Sequence, residues 1–238
     1  MGHCGNSGYS PQPHIHLHLQ VAAQPGDSSL PYVFGSHIQQ GRFIAYGIPE
    51  EGAQIEPFLP ETGLQQALSL TLDRKLQYHW YRDGELQWEL RIEVRMNPSG
   101  ETYLDSGRGH LYFNQSDSEF YCYRLEGRDP ALALLFSALP RIPLGGDAGM
   151  SWQDTLPLQV LRQGWRWHLA SLLRAVLPTV GDSHYSARWQ QTNLIEGRVR
   201  HAGGEMRVMA HLGSLAWFNE ITIGRHRLVG YGAEGVES

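Results

Sequence analysis

The chain has 238 residues, of which 41% are hydrophobic and 18% charged, with a formal net charge of −5 and a pI near 6.2. That length can bury a substantial core, and the composition is neither low-complexity nor disordered. The acidic balance argues against a general nucleic-acid surface, which would show as basic excess, and no run approaches the roughly 18 consecutive apolar residues of a membrane span. No charged stretch followed by an apolar one marks a signal peptide.

The chain opens with GHCGNSGYSPQPHIHLHLQ, residues 2–20. From His14 onward imidazole alternates with aliphatic side chains, His14, His16 and His18 against Ile15, Leu17 and Leu19. Period-two alternation predicts a half-buried β-strand, which places the three imidazoles on one face at a spacing of roughly 7 Å. Gly5, Gly8, Ser10, Pro11 and Pro13 make a turn-rich approach to that strand. Such a strand also arises as a solvated face, or from histidines bonded to their neighbours, because a zinc site needs companions that one strand does not supply.

The longer run GNSGYSPQPHIHLHLQ resembles the C-terminal signature of the lysostaphin-type, or LytM-type, zinc metallopeptidases, in which a Gly/Ser-rich turn leads through Pro into His-x-His on a strand of the catalytic groove. The resemblance implies that His16 ligates zinc and that His14 faces the zinc-bound water as general base or electrostatic stabiliser. Zinc lowers the pKa of its water toward ~7, and a neighbouring imidazole moves protons at neutral pH. His18 stands where the family carries other residue types and takes no role. The match covers about the first twenty residues, with a fainter continuation to about residue 48. Family members draw a further His and an Asp from strands upstream of His-x-His, so an upstream peptidase half is expected in the intact protein.

Within the chain, His79 and Asp83 reproduce the H-x-x-x-D spacing of those upstream ligands. They lie in YHWYRDGELQWEL, however, where Asp83-Gly84 reads as a hairpin turn between two alternating strands, so a metal role is not expected there. The other histidines, His37 and His110 among them, are scattered singly. Cys4 and Cys122 are far apart in sequence and read as free thiols rather than a disulfide framework.

After the histidine strand, residues 21–41 read as a loop with a short extended piece at Tyr32-Val33-Phe34, and residues 41–60 carry the Pro and Gly punctuation of a domain crossing. Residues 66–72, 76–82 and 86–96 are predicted as strands. In the third, Leu86, Trp88, Leu90, Ile92, Val94 and Met96 alternate with polar residues, so one face is buried and the other wet. Residues 102–104 continue the meander, and 109–125 give one or two more strands around a turn at Ser116-Asp117-Ser118. Asp129-Pro130 opens a helix running to Leu139, with Asp as N-cap and Pro in the first turn. Residues 140–160 read as an irregular loop and 161–177 as a second helix. The remainder returns to strands at 185–191, 192–201, 205–212 and 216–223, with a short one near the end.

The expected fold is mainly β (α+β): a truncated antiparallel peptidase subdomain at 1–50, followed at 51–238 by a large antiparallel, curved sheet with one or two helices. Two functions follow. In one, the chain is the C-terminal part of a zinc metallopeptidase that hydrolyses peptide bridges of bacterial peptidoglycan in the cell envelope, inactive without its upstream half. In the other, residues beyond about 55 form a non-catalytic binding or scaffold module, whose aromatics Trp80, Trp88, Tyr103, Tyr112 and Trp217 serve either as a ligand surface or as ordinary core.

Overall fold

The computed structural model describes residues 19–24, 26–156, 183–201, 204–213 and 217–231. As expected, the chain is mainly β, built on one very large sheet. Strands β1 (Leu19–Gln20) and β2 (Ser29–Leu30) form a separate two-stranded ribbon. Next come β3 (His37–Gln39), β4 (Arg42–Ile44), β5 (Ile55–Pro57) and helix α1 (Thr62–Leu68). A long meander follows: β6 (Lys75–Arg82), β7 (Glu85–Met96), β8 (Thr102–Asp105), β9 (Gly109–Gln115) and β10 (Glu119–Gly127). Helix α2 (Pro130–Ala138) and the short β11 (Arg141–Pro143) lead to β12 (Ser151–Leu156). The chain closes with β13 (Ser183–Gln191), β14 (Leu194–His201), β15 (Gly204–Leu212), β16 (Phe218–Ile223) and β17 (His226–Gly230). Among the described residues the sheet has 15 strands in the order β11-β10-β9-β8-β7-β6-β17-β16-β15-β14-β13-β12-β4-β3-β5. Its pairs are antiparallel except β12 with β4, which meet in parallel at Ser151 and Arg42.

Local chemistry explains most of these elements. The β6–β7 hairpin turns at Asp83 (φ 51°) and Gly84 (φ 85°), both in the left-handed region that a tight hairpin requires. In β7, Leu90, Ile92 and Val94 are buried as the alternation predicts, while Leu86 and Met96 at its ends stay exposed. Strand β13 alternates without a fault: Ser183, Tyr185, Ala187 and Trp189 point inward, and His184, Ser186 and Arg188 face solvent.

Three expectations need correction. Residues 66–72 are not a strand. The segment contains the end of α1, whose Leu64 and Leu68 lie one turn apart and are both buried, and then a loop in which Asp73 takes φ 63°. The segment 140–160, read as irregular, contributes β11 and β12. The large sheet also crosses the expected crossing at residues 41–60, since β3, β4 and β5 join it through β12, and Phe43 and Phe58 pack edge-to-face at 4.7 Å in the shared core. The helix expected at 161–177 lies outside the described residues.

The sheet is rolled around α2. That helix packs against β9 and β10 on one side and β14, β15 and β16 on another, and it buries Ala131, Leu132, Leu135, Phe136 and Ala138. A helix apolar on so many sides is a core helix rather than a surface one. The roll brings β11, the first strand of the sheet, against β12 and β13 at the far side. The outward carbonyls of this edge strand are capped by indoles: Trp152 Nε1 donates to Arg141 O at 2.8 Å, and Trp189 Nε1 to Pro143 O at 3.3 Å. An edge whose backbone groups are taken by side chains is closed to further strand pairing.

Candidate functional site

His14 and His16, with His18 and Cys4, lie outside the described residues. What the structure does describe is the chain that leaves the histidine segment. Leu19 pairs with Leu30 and Gln20 with Ser29 in the β1–β2 ribbon. The loop between them is held by Gln20 Nε2 donating to Asp27 O at 3.2 Å and by the Ser28 N–H donating to Asp27 Oδ1 at 2.7 Å. This ribbon and the segment after it expose an unusual amount of apolar surface, with Leu19, Val21, Leu30, Val33, Tyr46, Ile48, Ile55 and Leu59 each at least 46% accessible.

Next to it, His37 is buried. Its Nδ1 lies 2.8 Å from Gly35 O, which makes Nδ1 a donor, and its buried Nε2 has no hydrogen-bond partner among the described residues. That is the ring arrangement of a metal-ligating histidine, but one imidazole is not a site. Among the described residues no three His, Cys, Asp or Glu side chains are grouped to hold an ion.

The spacing of His79 and Asp83 leads to separate partners. His79 stacks on Tyr231 with ring centroids 4.0 Å apart and reaches Glu89 at 3.8 Å, while Asp83 sits in the turn beside Arg82 and Arg225. His110 lies between Asp105 and Glu126, at 3.7 and 3.9 Å, against the ring of Tyr103. Cys122 is a buried free thiol, its pKa pushed up by burial and further by Asp154.

Trp80 and Trp217, two of the aromatics considered for a ligand surface, are buried in the core, and Tyr112 is covered on the outer side by Arg124, 3.8 Å from its ring centroid. Trp217 donates to Leu68 O at 3.2 Å, and Trp80 meets Trp88 edge-on at 4.1 Å. Tyr78 is fully buried and accepts the Phe218 N–H at 3.2 Å; burial lifts its pKa to about 12, against smaller downward pulls from that hydrogen bond and from Arg74. Tyr103 is half-buried and belongs instead to an outer aromatic row with His110 and Tyr112.

One polar cluster does enter the interior. Arg141 of β11 lies between Glu119 of β10 and Asp154 of β12, bonding the first through Nη1 and the second through Nε at 3.0 Å. Burial raises the pKa of Glu119, with Asp154 adding to it, against the downward pull of Arg141. For Arg141 burial opposes the charge, but Asp154 and Glu119 together outweigh it and keep the guanidinium charged. Sequence reasoning missed this cluster, and also an array of arginines on the outer face of β13–β15. The first left no local signal. The second did, in the period-two arginines of Arg198-Val199-Arg200.

No family model, curated protein or solved structure matches the chain.

Proposed function

We propose that the chain is the C-terminal part of a zinc metallopeptidase of the lysostaphin type, carrying the His-x-His strand at its start and a non-catalytic β body after it. The observation that carries this reading is the run GNSGYSPQPHIHLHLQ, with its Gly/Ser turn, its prolines and its paired histidines in the family's order. In this reading His16 ligates zinc and His14 serves the zinc-bound water, and the remaining ligands come from a peptidase half outside these 238 residues. The substrate class is a peptide bridge of bacterial peptidoglycan. The apolar side chains exposed between Leu19 and Leu59 fit the same reading, since a groove shared with further strands would cover them.

The body from β3 onward takes the role of an accessory or scaffold module. Its interior holds α2 and tryptophans bonded to backbone carbonyls. The test uses the chain together with the natural sequence upstream of it. Bound zinc and hydrolysis of glycine-bridged peptidoglycan are expected in the wild type, zinc is lost in His16→Ala, and turnover without zinc loss is abolished in His14→Ala. Full hydrolysis by the His16→Ala protein would refute the assignment.

A further inference from the structure

The outer face of β12–β15 carries a depression of about 790 Å³, whose described lining includes Gln153, Thr155, His184, Ser186, Arg198 and Arg200 together with the acidic residues Glu205 and Asp154, the latter paired with Arg141. Strand register explains why these residues meet. Thr155, His184, Arg200 and Glu205 are successive cross-strand partners in one row, and Gln153, Ser186, Arg198 and Arg207 in the next. Within each row the side chains leave the same face of the pleat.

Two features of the rows are unusual for a surface that only has to stay wet. The first is that Arg198 and Arg207 stand directly opposite each other, both about two-thirds exposed. Like charges in that position repel. Among the described residues, the carboxylates that pair with them are shared. Glu205 serves Arg198 at 3.5 Å and Arg200 at 3.1 Å, and Glu196 bridges Arg188 at 2.7 Å and Arg207 at 2.8 Å. Four guanidiniums share two carboxylates on this face, and within the depression itself Arg198 and Arg200 meet Glu205 and an Asp154 that is already paired with Arg141.

The second feature is the supply of donors that are uncommitted among the described residues. A guanidinium offers five N–H groups, and one shared carboxylate engages few of those on Arg198 and Arg200. The hydroxyls of Thr155 and Ser186, the amide of Gln153 and the ring of His184 can each donate into the same space. Arginine forks flanked by hydroxyl and amide donors are complementary to an oxyanion with several oxygens. A carboxylate is satisfied by one fork. A phosphate, with its several oxygens, matches the two neighbouring forks.

We propose that this depression binds a small phosphorylated ligand, its phosphate held between Arg198 and Arg200, with Thr155, Ser186 and His184 around it. Glu205 occupies the same guanidiniums in the free protein and has to be displaced or shared when the phosphate arrives. The inference is independent of the peptidase reading, because it involves neither His14 nor His16.

Calorimetric titration of the full chain with inorganic phosphate and with glycerol phosphate, at low ionic strength, tests it. Saturable binding at one site is expected. The double variant Arg198→Gln/Arg200→Gln should weaken it by at least about tenfold, the scale of losing charge-assisted hydrogen bonds. Glu205→Gln should tighten it, since the competing carboxylate is gone. Arg227→Gln, on the same face but paired with Glu220 at 2.9 Å, should leave it unchanged. All four positions are exposed, so a thermal melt by circular dichroism is expected to be the same for every variant. The proposal falls if the wild type shows no saturable phosphate binding, or if the double variant binds as well as the wild type. It falls also if the chain adheres to vesicles of equal parts phosphatidylcholine and phosphatidylglycerol and free phosphate does not compete, which would make the patch a general electrostatic surface.

Discussion

Trp80 and His226 stand 146 residues apart, and the indole N–H of the first donates to Nδ1 of the second at 3.3 Å. That bond needs an unprotonated Nδ1. Burial, then the charges of Arg82 and Arg225, hold His226 below the ordinary histidine value, against a smaller upward pull from Asp83. A histidine with a depressed folded pKa contributes stability that is fully present above its unfolded value, near ~6.5, and is lost as the pH falls through the folded value. Unfolding in urea, followed by tryptophan fluorescence, should therefore give a lower midpoint at about pH 5 than at about pH 7. His226→Asn should flatten that step, and an unchanged pH dependence in this variant would remove His226 as its source. Nothing near His226 in the sequence announces the pairing. The partner is brought in by the β17–β6 register, which is a long-range choice, whereas the neighbouring Asp83-Gly84 turn was legible because a tight hairpin demands its backbone conformation locally.

Among the elements, α2 is the one whose start was written most plainly and whose loss should matter most to the roll. Asp129 Oδ1 accepts the Ala131 N–H at 2.8 Å and the Leu132 N–H at 3.4 Å, and Pro130 opens the first turn. Replacing a capping Asp by Ala costs about 0.5–2 kcal/mol. Because Asp129 is itself buried, Asp129→Ala is expected near the upper end, as a lower midpoint in urea with an unchanged slope. A change of slope would mean instead that the roll around α2 loosens. Other elements were less legible for reasons that can be named. The ALSLTL segment alternates like a strand, but the one-turn spacing of Leu64 and Leu68 fits the helix that tertiary packing selects. Strand β11 has three residues, one of them proline, and its outward carbonyls are satisfied by Trp152 and Trp189 rather than by a further strand. No window of sequence contains both halves of that arrangement. The histidine segment shows its pattern only in the order of its residues, since His14, His16 and His18 lie outside the described residues.

At the scale of the whole molecule, the roll closes through side chains, and Arg141 is the residue on which that closure turns. It ties β11 to β12 through Asp154 and holds the charge of Glu119, whose side chain is 2% exposed. Breaking a buried ion pair by removing one partner costs about 3–5 kcal/mol, because it strands the other charge, whereas replacing the whole cluster by apolar residues is often neutral. Arg141→Met should therefore destabilise strongly at neutral pH, and Glu119→Leu/Arg141→Met/Asp154→Val should recover most of the loss. The pH dependence gives the sharper test. Burial already raises the folded pKa of Glu119, and removing Arg141 takes away the main influence that lowers it. A carboxyl with a raised folded pKa contributes stability that is complete below its unfolded value, near ~4.3, and is lost as the pH rises through the folded value. The defect of Arg141→Met, measured against wild type by urea unfolding, is thus expected to be smallest near about pH 4 and to grow toward about pH 7. An equal defect at both ends would mean that Arg141 holds the roll by packing on Tyr121, whose ring lies 5.2 Å beneath its guanidinium, and not by neutralising Glu119.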